Sequence, residues 1–322
     1  MRILVVGGAG YIGSHTVRGL LRAGHDVSVF DNLDLGHAWA VPEGRLIVGN
    51  LADRDALEAA LRGRKVEAVM HFAAFASVPE SVADPAKYYR NNVVGTLNLL
   101  DAMRAEGVGR IVFSSTAAVY GVPEVVPIPE SAMPKPINPY GTTKLTAERA
   151  LADYAAAYGF GTAALRYFNA CGAADDGTLG EDHEPETHLI PLVLQVALGR
   201  RDGVAIYGDD YPTPDGTCVR DYIHVEDLAD AHLRALERLE AGRSLVYNVG
   251  TGRGFSVREV IDAARRVTGR TIPAFEHPRR PGDPPTLVAS AESIRRDLGW
   301  SPRYVEIDAM VQSAWKWHSR IQ

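Results

Sequence analysis

Tyr140 and Lys144 stand four residues apart in the run Tyr-Gly-Thr-Thr-Lys, a spacing that puts both side chains on one face of a helix. A phenol has an unperturbed pKa of about 10. An ammonium one turn away favours its ionised form, so the pair is a candidate general base. Upstream, Ser114-Ser115-Thr116 closes a β-branched run, and hydroxyls at the carboxyl end of a parallel strand lie where doubly wound sheets bind ligands. Nearer the N-terminus, residues 7–13 read Gly-Gly-Ala-Gly-Tyr-Ile-Gly. Glycines at this spacing let the backbone approach a pyrophosphate, which the free N–H groups and dipole of the following helix would hold. Asp31, 18 residues beyond Gly13, can accept from the hydroxyls of an adenosine ribose and repel a 2′-phosphate, which selects NAD over NADP.

Such groups meet only if parallel strands deliver them to one edge. Short apolar runs at 3–6, 26–30, 46–48, 68–72, 110–114 and 162–167 alternate with stretches at 14–23, 54–61, 85–106 and 140–158 that carry apolar residues at three-and-four spacing. This is the pattern of βαβ units in a sheet buried on both faces. The expected fold class is α/β, a doubly wound parallel sheet of Rossmann type with a smaller C-terminal lobe. Beyond Asn169 the rhythm changes, and 171–188 and 207–217 read as irregular segments rich in turn-forming residues. A strand-like run at 245–249, a helix from Val257 and a last helix near 307–319 follow. The expected division is a dinucleotide-binding domain of 1–170 and about 222–258, and a substrate lobe of about 171–221 and 259–322.

Composition removes several other classes. With 322 residues, 46% hydrophobic and 23% charged, the chain is neither disordered nor fibrous. A net charge of −6 with only short basic pairs gives no sustained face for a phosphate backbone, so no nucleic-acid partner is expected. Two cysteines, Cys171 and Cys218, build no disulfide framework and point to a reducing, cytoplasmic location. No His-Glu-x-x-His pattern occurs, and His183 and His188 stand five apart in an irregular stretch, so no metal site is expected. The apolar run at 3–6 is interrupted at once by glycines, too short for a signal peptide or a membrane span.

Together these motifs resemble the extended short-chain dehydrogenase/reductases, and within them the chain is similar to UDP-glucose 4-epimerases (UDP-galactose 4-epimerases) over almost its whole length. The stretches that carry the likeness are GGAGYIGSH (7–15), FDNL (30–33), HFAA (71–74), YYRNNVVGT (88–96), FSSTAAVYG (113–121), PYGTTK (139–144), RYFNACG (166–172), YPTPDGTCVRDYIHVEDLADAH (211–232) and YNVGTG (247–252). The resemblance implies that Tyr140 takes the proton of the sugar 4-hydroxyl while the C4 hydride passes to tightly bound NAD. The 4-keto sugar then turns over and takes the hydride back on its other face. It further implies that Thr116 orients the hydroxyl and that Lys144 holds the nicotinamide ribose while tuning Tyr140. The implied cofactor contacts are Gly7, Gly10, Tyr11, Ile12, Gly13, Asp31, Asn32, Asn50, Leu51, Phe72, Ala73, Ala74, Ala76, Asn91, Ser114 and Phe168, with Tyr140 and Lys144. The implied substrate contacts are Thr116, Tyr140, Tyr167, His188 and Leu189, with Asn169, Arg220 and Arg280 on the phosphates. Tyr222 and Asp283 would meet the uridine ribose, Ala205, Ile206 and Tyr207 the uracil, and Leu287 the sugar 2-substituent. A homodimer through the helices at 85–106 and 140–158 is also implied.

The chain departs from the family pattern at Asn50, where many members have Asp, and at Ala76, where some have Lys. Ala117-Ala118 stands where sugar-nucleotide 4,6-dehydratases carry an acid/base pair, so elimination of water is excluded. Two rival readings are a 4-epimerase of another nucleotide sugar, with an N-acetyl, pentose or uronate group, and an NAD-binding protein without catalysis.

Overall fold

The computed structural model describes residues 1–280 and 283–320. In chain order the strands are β1 (Arg2–Val6), β2 (Asp26–Asp31), β3 (Leu46–Val48), β4 (Ala68–His71), β5 (Arg110–Ser114), β6 (Gly161–Tyr167), β7 (Asn169–Cys171), β8 (Val204–Tyr207), β9 (Val219–His224), β10 (Ser244–Val249), β11 (Gly254–Ser256), β12 (Ala274–His277) and β13 (Thr286–Leu287). The α-helices are α1 (Tyr11–Arg22), α2 (Arg54–Gly63), α3 (Val78–Ala83), α4 (Pro85–Tyr88), α5 (Gly95–Ala105), α6 (Pro139–Tyr158), α7 (Leu189–Ala197), α8 (Val225–Glu237), α9 (Val257–Thr268), α10 (Glu292–Leu298) and α11 (Ile307–His318).

Seven strands form one sheet in the order β3-β2-β1-β4-β5-β6-β10, and every neighbouring pair runs parallel. The strand order reverses between β1 and β4, so their carboxyl ends splay their connections to opposite faces and open a crevice there. Apolar cores cover both faces: Val5, Leu20, Met70 and Leu228 lie in one, and Leu4, Leu57, Leu99 and Leu151 in the other. This is the doubly wound fold that the alternating runs predict. The remaining strands are short. β9 is flanked by β7 and β13 in parallel and by β11 antiparallel, β8 pairs with β12, and α7, α9 and α11 close a separate core around Val193, Val260 and Met310.

Two differences from the periodicity reading have local causes. The stretch 85–106, read as one helix, is α4, a wide π-helical segment at Tyr89–Val94, and α5. Within the wide segment, buried Asn92 accepts from the Phe75 N–H at 3.0 Å, and its amide donates to the Phe75 carbonyl and to Thr143. Those bonds tie the segment to the loop after β4 and to α6. Helix α8, whose buried face includes Leu228, His232 and Leu236, packs on α1 and was not read from the sequence, although Glu226 and Asp227 mark its first turn.

Candidate active site

The glycine turn works by contact as much as by flexibility. Gly7 has φ +80°, and a Cβ there would lie 2.3 Å from the Ala73 amide nitrogen; one on Gly13 would lie 2.1 Å from the Gly7 carbonyl. These two positions seat α1 against β1 and β4. At Gly10 a Cβ would have only Gly7 O at 3.6 Å, so that side of the turn stays open. Gly10 is also the N-cap of α1 and provides no side-chain cap, which leaves backbone donors and the positive end of a 12-residue helix facing the crevice. Asp31, at the end of β2, accepts from the N–H groups of Ala9 and Leu33, each at 2.9 Å. Its carboxylate is thereby held at the pocket wall, where its remaining lone pairs could accept from ribose hydroxyls. An open turn at a helix N-terminus and a fixed carboxylate in the same pocket fit NAD.

The catalytic candidates meet across the crevice. Asn138 caps α6, accepting from the Gly141 N–H at 2.8 Å, and Pro139 follows, so Tyr140 sits in the first turn. A Cβ on Gly141 would lie 2.5 Å from the Ala118 carbonyl. This close approach brings α6 against the turn at Ala117–Val119, whose N-cap is Thr116. The Thr116 hydroxyl lies beside the Tyr140 phenol and favours its ionised form, while its oxygen accepts from the Ala118 N–H at 3.1 Å. Lys144, one turn on, donates from Nζ to the Ser114 carbonyl at 2.8 Å and lies over the Phe113 ring.

Burial changes the electrostatics of both groups. Burial raises the Tyr140 pKa, and Thr116 is the group that lowers it. Burial also takes the Lys144 ammonium down to about 7, with Glu148 opposing. A lysine so desolvated is only partly charged at neutral pH and cannot by itself depress the phenol. An oxidised nicotinamide, when bound, would add a second positive charge near the phenol.

Behind this face lies a buried network that no motif announced. Glu148, one turn beyond Lys144, is gripped by Arg166 through Nε at 3.0 Å and Nη2 at 2.6 Å, and accepts from Ser115. Arg166 also donates to the Tyr120 hydroxyl at 2.9 Å, which donates to Asn248 at 2.7 Å. Pairing of this quality offsets much of the desolvation cost of two buried charges, and it ties β5, β6 and α6 at the level of the catalytic groups.

One continuous pocket collects most of the expected contacts. Its wall includes Gly7, Gly10, Tyr11, Ile12, Gly13, Asp31, Asn32, Leu51, Phe72, Ala73, Ala74, Ala76, Asn91, Ser114 and Phe168, with Thr116, Tyr140, Lys144, Tyr167, Asn169, His188, Leu189 and Tyr222. Asn50 lies outside the wall, between Gly49 and Leu51, and its side chain accepts from the Ala52 N–H in a turn. Of the predicted uridine-side residues only Tyr222 is in the wall; Ala205, Ile206, Tyr207 and Asp283 lie outside it, as do Arg220, Arg280 and Leu287. Ile206 is buried in the lobe core, so its side chain faces away, whereas Ala205 and Tyr207 share the other face of β8. Arg280 stacks on the Tyr207 ring at 3.8 Å. Arg220 donates to the carbonyls of Val219 and Pro284 and faces Asp283 at 3.7 Å. Its ion partner is thus neither Asp221, which accepts from Thr251, Gly252 and Ala289, nor Asp227. Leu287 packs against Tyr120, Ile128 and Leu145.

The sequence reading also missed a cluster in the irregular stretch. Glu181, His183, Glu186 and His188 bring one ligand-type atom each to within 4.8 Å of one another, and both histidines line the pocket.

A doubly wound sheet with an open glycine turn and a Thr-Tyr-Lys set at its carboxyl edge defines a dinucleotide-binding enzyme of the Rossmann class. The chain belongs to the NAD dependent epimerase/dehydratase family, whose model matches residues 3–250. Among its relatives is the UDP-glucose 4-epimerase of Lacticaseibacillus casei, 54% identical over 320 residues, which are 99% of this chain and 97% of that one. A crystal structure of UDP-glucose 4-epimerase from Brucella ovis in complex with NAD has a TM-score of 0.94 at 51% identity, covering 97% of this chain and 96% of the other. The Bifidobacterium longum enzyme in complex with NAD+ and UDP has a TM-score of 0.95 at 40% identity, covering 100% and 99%.

Proposed function

We propose that this protein is an NAD-dependent UDP-glucose 4-epimerase, interconverting UDP-glucose and UDP-galactose through a transient 4-keto sugar. The observation that carries this reading is the convergence of Thr116, Tyr140 and Lys144 in the wall of the pocket that the glycine turn opens. It is supported by full-length likeness to UDP-glucose 4-epimerases and to structures holding NAD and UDP. NAD, when bound, accepts and returns a hydride at the sugar C4. Tyr140 removes the 4-hydroxyl proton and later restores it. Thr116 holds that hydroxyl in line and shares its proton, and Lys144 donates toward the ribose side of the site. Asn169, Arg220 and Arg280 are assigned to the diphosphate, for which a guanidinium fork is suited. Tyr222 and Asp283 are assigned to the uridine ribose, and the Ala205–Tyr207 face to the uracil.

The test is incubation of the purified protein with UDP-galactose and no added NAD, with UDP-glucose followed by NMR. Conversion establishes the reaction and retained cofactor together. No conversion, even with NAD supplied, overturns the substrate assignment.

We also infer a cytoplasmic homodimer. Both cysteines are free, as in a reducing compartment. Tyr89, Val94 and Leu97 expose apolar surface on the π-helical segment and α5, the region the family resemblance assigns to self-association. Sedimentation is expected to give twice the 34.8 kDa chain mass, and a monomer mass at working concentration rejects the dimer.

A further inference from the structure

The Glu181–His188 loop joins the end of the β7 connection to α7 and forms part of the pocket wall. Its ligand-type residues follow the spacing Glu-x-His-x-x-Glu-x-His. Both imidazoles turn Nδ1 toward one carboxylate oxygen: His183 lies 3.2 Å from Glu181 Oε1, and His188 contacts the same atom more closely. On the other side, Glu186 approaches His183 at 3.9 Å and His188 at 3.8 Å. The corners of a tetrahedral site with bonds of about 2.0–2.2 Å lie roughly 3.3–3.5 Å apart. The observed separations bracket that value.

The surroundings hold the backbone of the loop in place. Glu181 has a side-chain exposure of 3%, and its carbonyl accepts from the Trp317 indole at 2.9 Å. The Asp182 carbonyl meets His37 Nε2 at 3.0 Å. Oxygen Oε1 of Glu186 accepts from the N–H groups of Thr187 and His188 at 2.6 and 2.7 Å and is the oxygen nearer His188, while Oε2 is the one that approaches His183. Ligation requires both imidazoles in the neutral form, and with two carboxylates the set then sums to −2, the charge one divalent ion cancels. Imidazole donors exclude Mg²⁺ and Ca²⁺ as the preferred occupant, and four protein ligands form a closed set of the structural zinc type.

We propose that Glu181, His183, Glu186 and His188 form a structural Zn²⁺ site that pins the loop 181–188 onto the pocket. Coordination through Nδ1 leaves Nε2–H as the His188 donor. Because the half-exposed His188 ring lines the pocket, that donor is then available to an anionic ligand. Only this last role rests on the UDP-sugar reading; the metal site itself does not.

The experiment uses the full-length protein with its retained NAD, stripped by a chelator and titrated with Zn²⁺ and, as a spectroscopic probe, Co²⁺. The expected result is one metal per chain, visible d–d bands of four-coordinate intensity with Co²⁺, and a melting temperature raised by roughly several degrees at 100-fold excess over Kd. His183→Gln is expected to weaken binding by more than the ~10–100-fold that loss of an outer-shell partner costs. His183→Cys is expected to restore a site with an added thiolate-to-cobalt charge-transfer band, which reports ligation by residue 183 directly. Wild-type protein that takes up no stoichiometric Zn²⁺, or equal uptake by a His183→Gln/Glu186→Gln variant, overturns the proposal.

Discussion

At the scale of single residues, Tyr140 is the proposed base and its protonation state is the quantity to measure. Burial raises its pKa, and Lys144, brought to about 7 by its own desolvation, is only partly charged at neutral pH. Stripping NAD is therefore expected to leave the phenol above its ordinary value of about 10. Restoring oxidised cofactor should lower it, because the base form is favoured by added positive charge. An ultraviolet titration of phenolate, taken as the difference between wild type and Tyr140→Phe, reads this; a pKa unmoved by the cofactor contradicts it. The same Tyr140→Phe variant is expected to lose about 10²–10⁴-fold in kcat while keeping bound NAD, since the cradle at Gly10 does not involve the phenol. The Tyr140–Lys144 spacing was legible in the sequence. The desolvation of Lys144 was not, because it depends on Phe113, Ser114 and Glu148 converging from two other stretches of chain.

Elements act through how closely they approach. Helix α6 can present Tyr140 to Thr116 because Gly141 allows its first turn to lie against the Ala118 carbonyl, 2.5 Å from where a Cβ would be. Gly141→Ala has no backbone strain of its own, yet it must push α6 from the turn at Ala117–Val119. A shift near 1 Å at a catalytic pair costs on the order of 10²-fold in rate. Assays of kcat against NAD content check it, the expected outcome being a large fall in kcat with cofactor retained. Gly13→Ala, whose Cβ would meet the Gly7 carbonyl at 2.1 Å, is instead expected to release NAD or to destabilise the fold, because it separates α1 from β1. The glycine turn and its strand were readable because they are contiguous. The short strands β7, β9 and β13 were not, since two to six residues carry no usable period and acquire their partners only when the lobe closes around β9.

Across the whole molecule, three buried imidazoles link stability to pH. Burial lowers His71 and His224 to about 3 and His232 to about 4. In the unfolded chain each has an ordinary pKa of about 6.5. Between those values the unfolded state binds protons that the folded state refuses, so stability is full above about pH 6.5 and falls as the pH drops toward 4. Each imidazole contributes up to about 1.4 kcal/mol per pH unit within its window. Urea midpoints measured from pH 7 to 5 are expected to decline. His232→Leu, which removes a ring whose Nε2 has no partner, should flatten the decline, and an unchanged slope would falsify the assignment.

Sequence alone determined the doubly wound half of the protein, its use of NAD and the Thr-Tyr-Lys set proposed to act there. Each is written in contiguous residues whose period or spacing has a direct physical meaning: apolar runs for buried parallel strands, glycines for close approach, four-residue spacing for one helix face. Only the tertiary structure decided what depends on distant segments meeting. The Arg166 clamp on Glu148, the Arg220–Asp283 pairing, the inward turn of Ile206 and the neutral histidines are products of packing, and packing sets the local dielectric and the partners of each group. The Glu181–His188 cluster lies between these cases. Its residues are adjacent in sequence but follow no helical period, so their convergence appears only once the loop is folded against Trp317 and His37.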